Sequence, residues 1–281
     1  MDQKVTAASL QADADVAEFD IDALREKYRQ ERDKRLRPDG NAQFVKVEGD
    51  FSHLIDDPYV EPGFSREALQ DEVEVLIVGG GFGGLIAGAR LRDAGFQDIR
   101  IVESAGDFGG TWYWNRYPGA QCDIESYIYL PLLEETGYMP KLKYSFAPEI
   151  REHAVRIAKQ YDLYRNVLFQ TQVKTMQWQE AEDKWLITTH RNDRFKAKFV
   201  IVSGGPLNRP KLPGIDGIQN FKGHTFHTSR WDYDYTGGDT TGNLHKLADK
   251  RVAIIGTGAT AIQCVSHLGR HAKQLYVFQR T

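Results

Sequence analysis

Cysteine is nearly absent: the 281 residues hold two, Cys122 and Cys264, far apart and in no CxxC. A disulfide framework and a dithiol redox pair are excluded, and a reducing, cytoplasmic compartment is expected. An excess of charge is missing too. Lys and Arg number 36 against 39 Asp and Glu, a net of −3, so no overall field recruits nucleic acid or an anionic membrane. There is no long apolar run. The most apolar stretch, Val73 to Ala89, is too short and glycine-rich to span a bilayer, which takes about 20 apolar residues. No signal peptide opens the chain, since Met1-Asp2-Gln3-Lys4 leads into polar sequence. Repeats and low-complexity tracts are also lacking.

What is present is a globular composition, 41% hydrophobic and 27% charged. Residues 1–70 read as an extension. Asp22 is expected to cap a helix from Ala23 to about Leu36, which Pro38-Asp39-Gly40 ends. Loop signals follow, such as Asp56-Asp57-Pro58 and Glu61-Pro62-Gly63. Regular order begins at Val73. A strand to Val78, a glycine-rich turn from Gly79 to Gly84, a helix from Leu85 to Ala94 and a strand Ile99–Val102 make a βαβ unit. A helix from Pro148 to Tyr161 and short strands around 167–169, 173–179, 185–189 and 199–203 come next. A strand from Arg251, a turn from Gly256 to Ala261, a helix and a strand from Gln274 to Phe278 then repeat the first pattern. The expectation is an α/β protein with two Rossmann-like dinucleotide-binding domains joined by a β-rich segment, the second domain incomplete. The boundaries read as 71–209 for the first and 210–281 for the second.

The first turn is a GxGxxG. Gly79 makes the tight turn, Gly81 lets the backbone approach a pyrophosphate, and Gly84 lets the helix lie close to the strand. The helix N-terminus then offers unpaired N–H groups to the phosphates. Glu103 follows 19 residues beyond Gly84. The second turn, Gly256-Thr257-Gly258-Ala259-Thr260-Ala261, is a GxGxxA that begins 177 residues after the first, and the same offset carries Glu103 to Arg280. A carboxylate at a strand tip accepts hydrogen bonds from ribose hydroxyls and repels a 2′-phosphate. Two like charges about 4 Å apart near a surface cost about 4 kcal/mol. An arginine pairs with that phosphate instead. The first site is therefore expected to take FAD or NAD(H), and the second NADPH, with Thr281 adding a hydroxyl.

After Glu103 runs a segment dense in aromatics and broken by glycine and proline, Gly109-Gly110-Thr111-Trp112-Tyr113-Trp114-Asn115-Arg116-Tyr117-Pro118-Gly119-Ala120. It reads either as a loop packed over the core or as a wall for a flat ring system. Val200 to Pro206, a strand entering a small-residue turn, is a second place where backbone meets a cofactor.

Phe221-Lys222-Gly223-His224-Thr225-Phe226-His227-Thr228-Ser229-Arg230-Trp231-Asp232 fits the pattern FxGxxxHxxxW followed by Pro or Asp. Together with the two turns and the aromatic segment, it resembles the type I Baeyer–Villiger monooxygenases, FAD-containing and NADPH-dependent enzymes. The resemblance runs from about Val73 to the C-terminus. The stretch Leu24 to Arg29 is similar to extensions of members that handle bulky or cyclic ketones.

The resemblance implies roles residue by residue. Gly79, Gly81, Gly83 and Gly84 hold the FAD pyrophosphate and Glu103 its ribose. Thr111, Trp112, Tyr113, Trp114, Asp123 and Tyr129 line the flavin, and Val173 lies near the adenine. Thr257, Gly258, Ala259, Thr260 and Ala261 hold the NADPH pyrophosphate, with Arg280 and Thr281 at its 2′-phosphate. His227 and Trp231 couple domain movement to catalysis. The implied reaction turns a ketone into an ester or lactone with O2 and NADPH, by way of a C4a-peroxyflavin. Asp123 is expected to pair with a catalytic arginine that has no counterpart in this chain. Gln121 stands where many members carry Arg in an Arg-Cys-Asp triplet. The chain is expected to be the N-terminal portion of a longer enzyme, with the remaining C-terminal part as a further partner. The competing readings are an N- or S-oxygenating flavin monooxygenase and an FAD-binding fragment inactive without a second polypeptide.

Overall fold

A computed structural model describes residues 20–207 and 209–279. They fall into two compact units, one ending at Gln43 and one running on from Phe44. The first unit holds helix α1 (Ile21–Arg35), capped by Asp20, whose carboxylate accepts from the N–H groups of Asp22 and Ala23 at 3.0 and 2.9 Å. The cap lies two residues before the expected Asp22, which sits in the first turn and complements the helix dipole there. Arg37, preceding Pro38, is biased away from helical backbone, and the helix ends at Arg35.

The second unit begins with strand β1 (Phe44–Lys46). The long strand β2 (Gln70–Val78) follows, then α2 (Phe82–Asp93) and β3 (Ile99–Val102). Three one-turn helices come next, α3 (Thr111–Trp114), α4 (Ser126–Tyr129) and α5 (Leu133–Thr136), and then α6 (Ala147–Gln160). Strands β4 (Val167–Leu168), β5 (Val173–Gln179), β6 (Lys184–Thr189), β7 (Arg194–Val202) and β8 (Lys211–Pro213) precede a short α7 (Tyr233–Thr236). The last elements are β9 (Arg251–Ile255), α8 (Ala259–His271) and β10 (Gln274–Phe278).

The α/β class expected from the two βαβ units holds. A six-stranded sheet has the order β4-β3-β2-β7-β6-β5, and β9 and β10 form a parallel pair of their own. The β-rich stretch expected between the units belongs to the first sheet: β7 lies parallel to β2 along its length, and β6 and β5 continue antiparallel. It joins that sheet through β7, a long-range pairing that no local pattern records.

Because β2 is central, both its faces are covered and its apolar residues run consecutively. Leu76 and Ile77 are both fully buried but point opposite ways. Ile77 packs with Leu85, Ile101 and Ile157, and Leu76 with Val102, Ile187 and Phe195. Each such side chain contributes about 1.5–3 kcal/mol of burial. Helix α6 buries Ala147, Ile150, His153, Ala154, Ile157 and Ala158, a stripe at helical spacing. The residues before β2 are clasped by a bidentate ion pair. Arg66 meets the fully buried Asp193 at 2.6 and 2.7 Å, and the Leu69 N–H and Thr189 hydroxyl bond the same carboxylate. Burial pushes the Asp193 carboxyl up, and the bonds from Arg66, Thr189 and Leu69 more than reverse it, holding it at about 2. The stretch from Phe44 onward, expected as part of an extension, is thus integral to the second unit. There β1 pairs with β8, and Asp57 accepts from the Tyr113 hydroxyl.

Candidate dinucleotide-binding sites

Strand β2 delivers the chain into a turn that only glycine can make. Gly79 has φ +108°, and a Cβ there would lie 2.5 Å from the Ser203 carbonyl oxygen. Its N–H donates to the Val102 carbonyl at 2.9 Å. At Gly84 a Cβ would lie 1.9 Å from the Gly79 carbonyl oxygen, so α2 packs directly on the turn. Gly81 is the N-cap of α2 and provides no side-chain cap, which leaves first-turn N–H groups for an anion. Gly110 approaches Gly81 closely: a Cβ on it would sit 2.7 Å from the Gly81 Cα.

Glu103 follows β3 and is buried beside this turn. One carboxylate oxygen accepts from the Gly80 N–H; the other accepts from the Ala105 N–H at 2.7 Å and the Ser104 hydroxyl at 3.1 Å. An ionised carboxylate offers about four acceptor sites, so three bonds leave room for a ribose hydroxyl.

A cavity of about 1400 Å³ opens over the turn, lined by Gly79, Gly81, Gly83, Glu103, Thr111, Trp112, Trp114, Tyr129 and Val173, all expected from the sequence. Small-molecule pockets run about 300–1,000 Å³, so this one has room for a dinucleotide. Trp112 Nε1–H donates to the Tyr129 hydroxyl at 2.8 Å, and Phe82 meets Tyr129 edge-on at 5.9 Å. Ser203 to Gly205, within the expected Val200–Pro206 turn, also line the cavity, as do pieces that no motif announced, the 55–64 loop and Arg230.

Other expected residues lie elsewhere. The Tyr113 ring turns into a cluster with Ala105 and Trp114 and does not line the cavity; its hydroxyl donates to Asp57 at 2.7 Å. Asp123 is exposed, near the phenols of Tyr117 and Tyr129, and does not border the cavity. His227 Nδ1 lies 2.7 Å from the Ser229 hydroxyl, and burial followed by the Arg230 charge pushes its pKa down to about 4. Trp231 is buried, its Nε1–H donating to the Thr236 hydroxyl at 3.0 Å. The FxGxxxHxxxW stretch thus turns Arg230, and neither His227 nor Trp231, toward the cavity. The only sequence signal for Arg230 was its place inside that stretch.

The second turn repeats the first. Gly256 has φ +111°, and its N–H donates to the Phe278 carbonyl at 2.8 Å. Gly258 caps α8 at φ −74°, ψ −177°, against −77° and −173° for Gly81. Thr257, Gly258 and Ala259 are exposed, Thr260 is partly so, and Ala261 is buried in Gly84's place. The strand tips, however, align differently from the count. Val78 pairs with Val102 and Ile255 with Phe278, so the residue in Glu103's place is Gln279, and Arg280 is the next. The path from turn to tip is one residue shorter in the second unit. Arg280 and Thr281 lie outside the described residues. Gln263 of α8 joins the second βαβ unit to the aromatic segment. It accepts from the Tyr117 hydroxyl at 2.9 Å and the Gln121 N–H at 3.3 Å, and donates to the Gln121 carbonyl at 2.8 Å.

Fold and site together define an α/β protein with two dinucleotide turns, one backed by an aromatic-lined cavity. The chain belongs to the pyridine nucleotide-disulphide oxidoreductase family, whose pattern matches residues 76–281. It lacks the dithiol that this name suggests, since Cys122 and Cys264 are buried free thiols. The likeness to Baeyer–Villiger monooxygenases extends along nearly the whole chain. A protein of that name from Streptomyces coelicolor is 55% identical over 92% of this chain and 43% of its own length. A polycyclic ketone monooxygenase from the fungus Thermothelomyces thermophila superposes with a TM-score of 0.85 at 44% identity, over 92% of this chain and 44% of that one. The protein OTEMO, solved in complex with FAD and NADP, gives a TM-score of 0.68 at 34% identity over 74% of this chain and 39% of that one. The chain spans less than half the length of the relatives it matches. Among the described residues no helix is long and apolar enough to cross a membrane, and no group of His, Cys, Asp and Glu is placed to hold a metal.

Proposed function

We propose that this chain holds FAD in the cavity over its first glycine turn and NADPH at its second turn, within a flavin monooxygenase that inserts oxygen beside a ketone carbonyl to give an ester or lactone. The observation that carries this reading is the doubled turn. Two βαβ units share one backbone geometry at their glycines, yet one tip is anionic and the other neutral with arginine beside it. Residues 71–209 are read as the FAD-binding part and residues 210–281 as the NADPH-binding part.

The residues fit these groups. The first-turn N–H groups of α2 face a diphosphate, Glu103 takes ribose hydroxyls, and Thr111, Trp112, Trp114 and Tyr129 wall the ring end. Bound FAD, reduced by NADPH, supplies the oxygen-activating chemistry; the chain supplies position and dryness. The aromatic wall keeps water from the ring, and Gln263 ties the nicotinamide-binding helix to the segment that carries that wall. Arg280 and Thr281 are assigned to the 2′-phosphate. The relatives are more than twice as long, so turnover belongs to the longer protein, and a bulky or cyclic ketone is its proposed substrate. Asp123, His227 and Trp231 are assigned positioning roles there, since none borders the cavity.

Reconstitution tests the reading. The chain incubated with FAD is expected to keep a bound-flavin absorbance spectrum after gel filtration, and NADPH to bind more tightly than NADH. In the longer protein, a cyclic ketone is expected to give lactone while an amine gives no N-oxide. A colourless filtrate sinks the first assignment, and N-oxide formation sinks the last.

A further inference from the structure

Arg230 is more than nine-tenths buried and borders the cavity. Its guanidinium stacks 3.7 Å above the Trp114 ring; Nε–H donates to the Asp56 carbonyl at 3.1 Å, and Nη1 to the Ser229 carbonyl and hydroxyl at 2.9 and 3.2 Å. These contacts fix its orientation without neutralising it. Among the described residues no carboxylate lies within ion-pairing distance. The carboxylate whose charge reaches it, Asp57, is engaged by the Tyr113 hydroxyl, the Gly106 N–H and the Tyr59 N–H at 2.7, 3.1 and 3.0 Å. A second half-buried cation, Arg116, stacks 3.7 Å over Tyr59 in the same cluster and forms no ion pair with the described residues either. Two guanidiniums thus share one carboxylate in a poorly hydrated place, where an uncompensated charge is costly. Among the described residues Nη2 of Arg230 has no hydrogen-bond partner.

We infer that Arg230 binds an anionic part of the cavity's ligand. Its planar fork suits a delocalised anion. In FAD that chemistry has two sources, the diphosphate and the negative charge the isoalloxazine takes on reduction. The inference rests on the FAD reading above and extends it to a residue outside the glycine turn. The cation–π contact with Trp114 offsets only part of the cost of holding this charge out of water, about 0.5–2 kcal/mol.

The test compares the chain with Arg230→Gln and Arg230→Lys. Fluorescence titrations with FAD and with ADP are run at low and high salt, and the flavin midpoint potential is measured. Far-UV circular dichroism checks folding. If the diphosphate is the anion, Gln weakens both FAD and ADP about tenfold and flattens the salt dependence, while Lys, a point charge without the fork, loses about threefold. If the ring is the anion, ADP binding is unchanged and the midpoint potential falls, more in Gln than in Lys. Affinities and potential both unchanged in Gln overturn the assignment. Where Gln does not fold, Lys decides: an unchanged affinity and potential overturn it, and the intermediate loss upholds it. A wild-type chain that binds no FAD overturns the flavin reading and this inference with it; intact wild-type binding with silent variants overturns this inference alone.

Discussion

At the scale of single residues, the two turns use glycine for separable reasons. Gly84 is required by packing, since any Cβ strikes the Gly79 carbonyl at 1.9 Å. At Gly258 nothing lies within 4 Å of a Cβ and φ is an ordinary −74°, so the fold does not demand glycine there. Gly84→Ala is therefore expected to lower stability by about 1–3 kcal/mol and to weaken FAD binding. Gly258→Ala is expected to leave the unfolding midpoint unchanged or raise it slightly while weakening NADPH. Thermal melts and cofactor titrations check the pair; equal destabilisation by both changes contradicts the distinction. His227 makes a pH prediction. Burial and Arg230 lower it from 6.5 to about 4 in the folded chain. As pH falls through 6.5 the unfolded chain takes up a proton that the folded chain refuses until about pH 4. Stability is then lost across that window, by up to about 3 kcal/mol, and this residue adds no pH dependence above it. Urea midpoints for the wild type and His227→Asn are expected to converge as pH falls, and parallel curves would falsify the assignment.

At the scale of elements, the strand tips carry the coenzyme preference. In the second unit the tip position is Gln279, a neutral amide that neither repels nor neutralises a phosphate, with Arg280 the following residue. Gln279→Glu restores the charge found at Glu103. A like charge about 4 Å from a 2′-phosphate costs about 4 kcal/mol, so NADPH affinity is expected to drop by two to three orders of magnitude while NADH, lacking that phosphate, loses little. Isothermal titration with both coenzymes decides, and equal losses for the two place the 2′-phosphate elsewhere. The one-residue difference in register was not legible from motif spacing. Counting assumes equal connections, yet α8 reaches β10 by a shorter path than α2 reaches β3. The helix α6 stripe and both glycine turns were legible, because their signals are local: a period of 3.6 residues in one case and required backbone conformations in the other.

At the scale of the whole molecule, the second nucleotide unit exposes apolar side chains that the first covers. Ile255, Tyr276, Val277 and Phe278 are 56, 46, 44 and 56% exposed, whereas their counterparts on β2 and β3 are largely enclosed by the six-stranded sheet and its helices. Side chains alternate along a strand, so both faces of this parallel pair present apolar surface, which parallel sheets normally cover. The 281-residue chain is expected to bind a hydrophobic dye such as ANS and to self-associate as its concentration rises, and Phe278→Ser to diminish both. Light scattering that shows a monomer at every concentration, with no dye enhancement, contradicts this. The sequence by itself determined the α/β class, both glycine turns, the acidic tip at Glu103 and the aromatic segment, since each rests on residues close along the chain. Tertiary structure alone decided three things: that β5, β6 and β7 extend the first sheet, that Tyr113 turns from the cavity while Trp114 faces it, and that Arg230 enters where His227 and Trp231 do not. These depend on which surfaces meet between residues 56 to 174 apart along the chain, and no local periodicity or spacing encodes the direction a loop side chain takes once a distant strand or helix is packed against it.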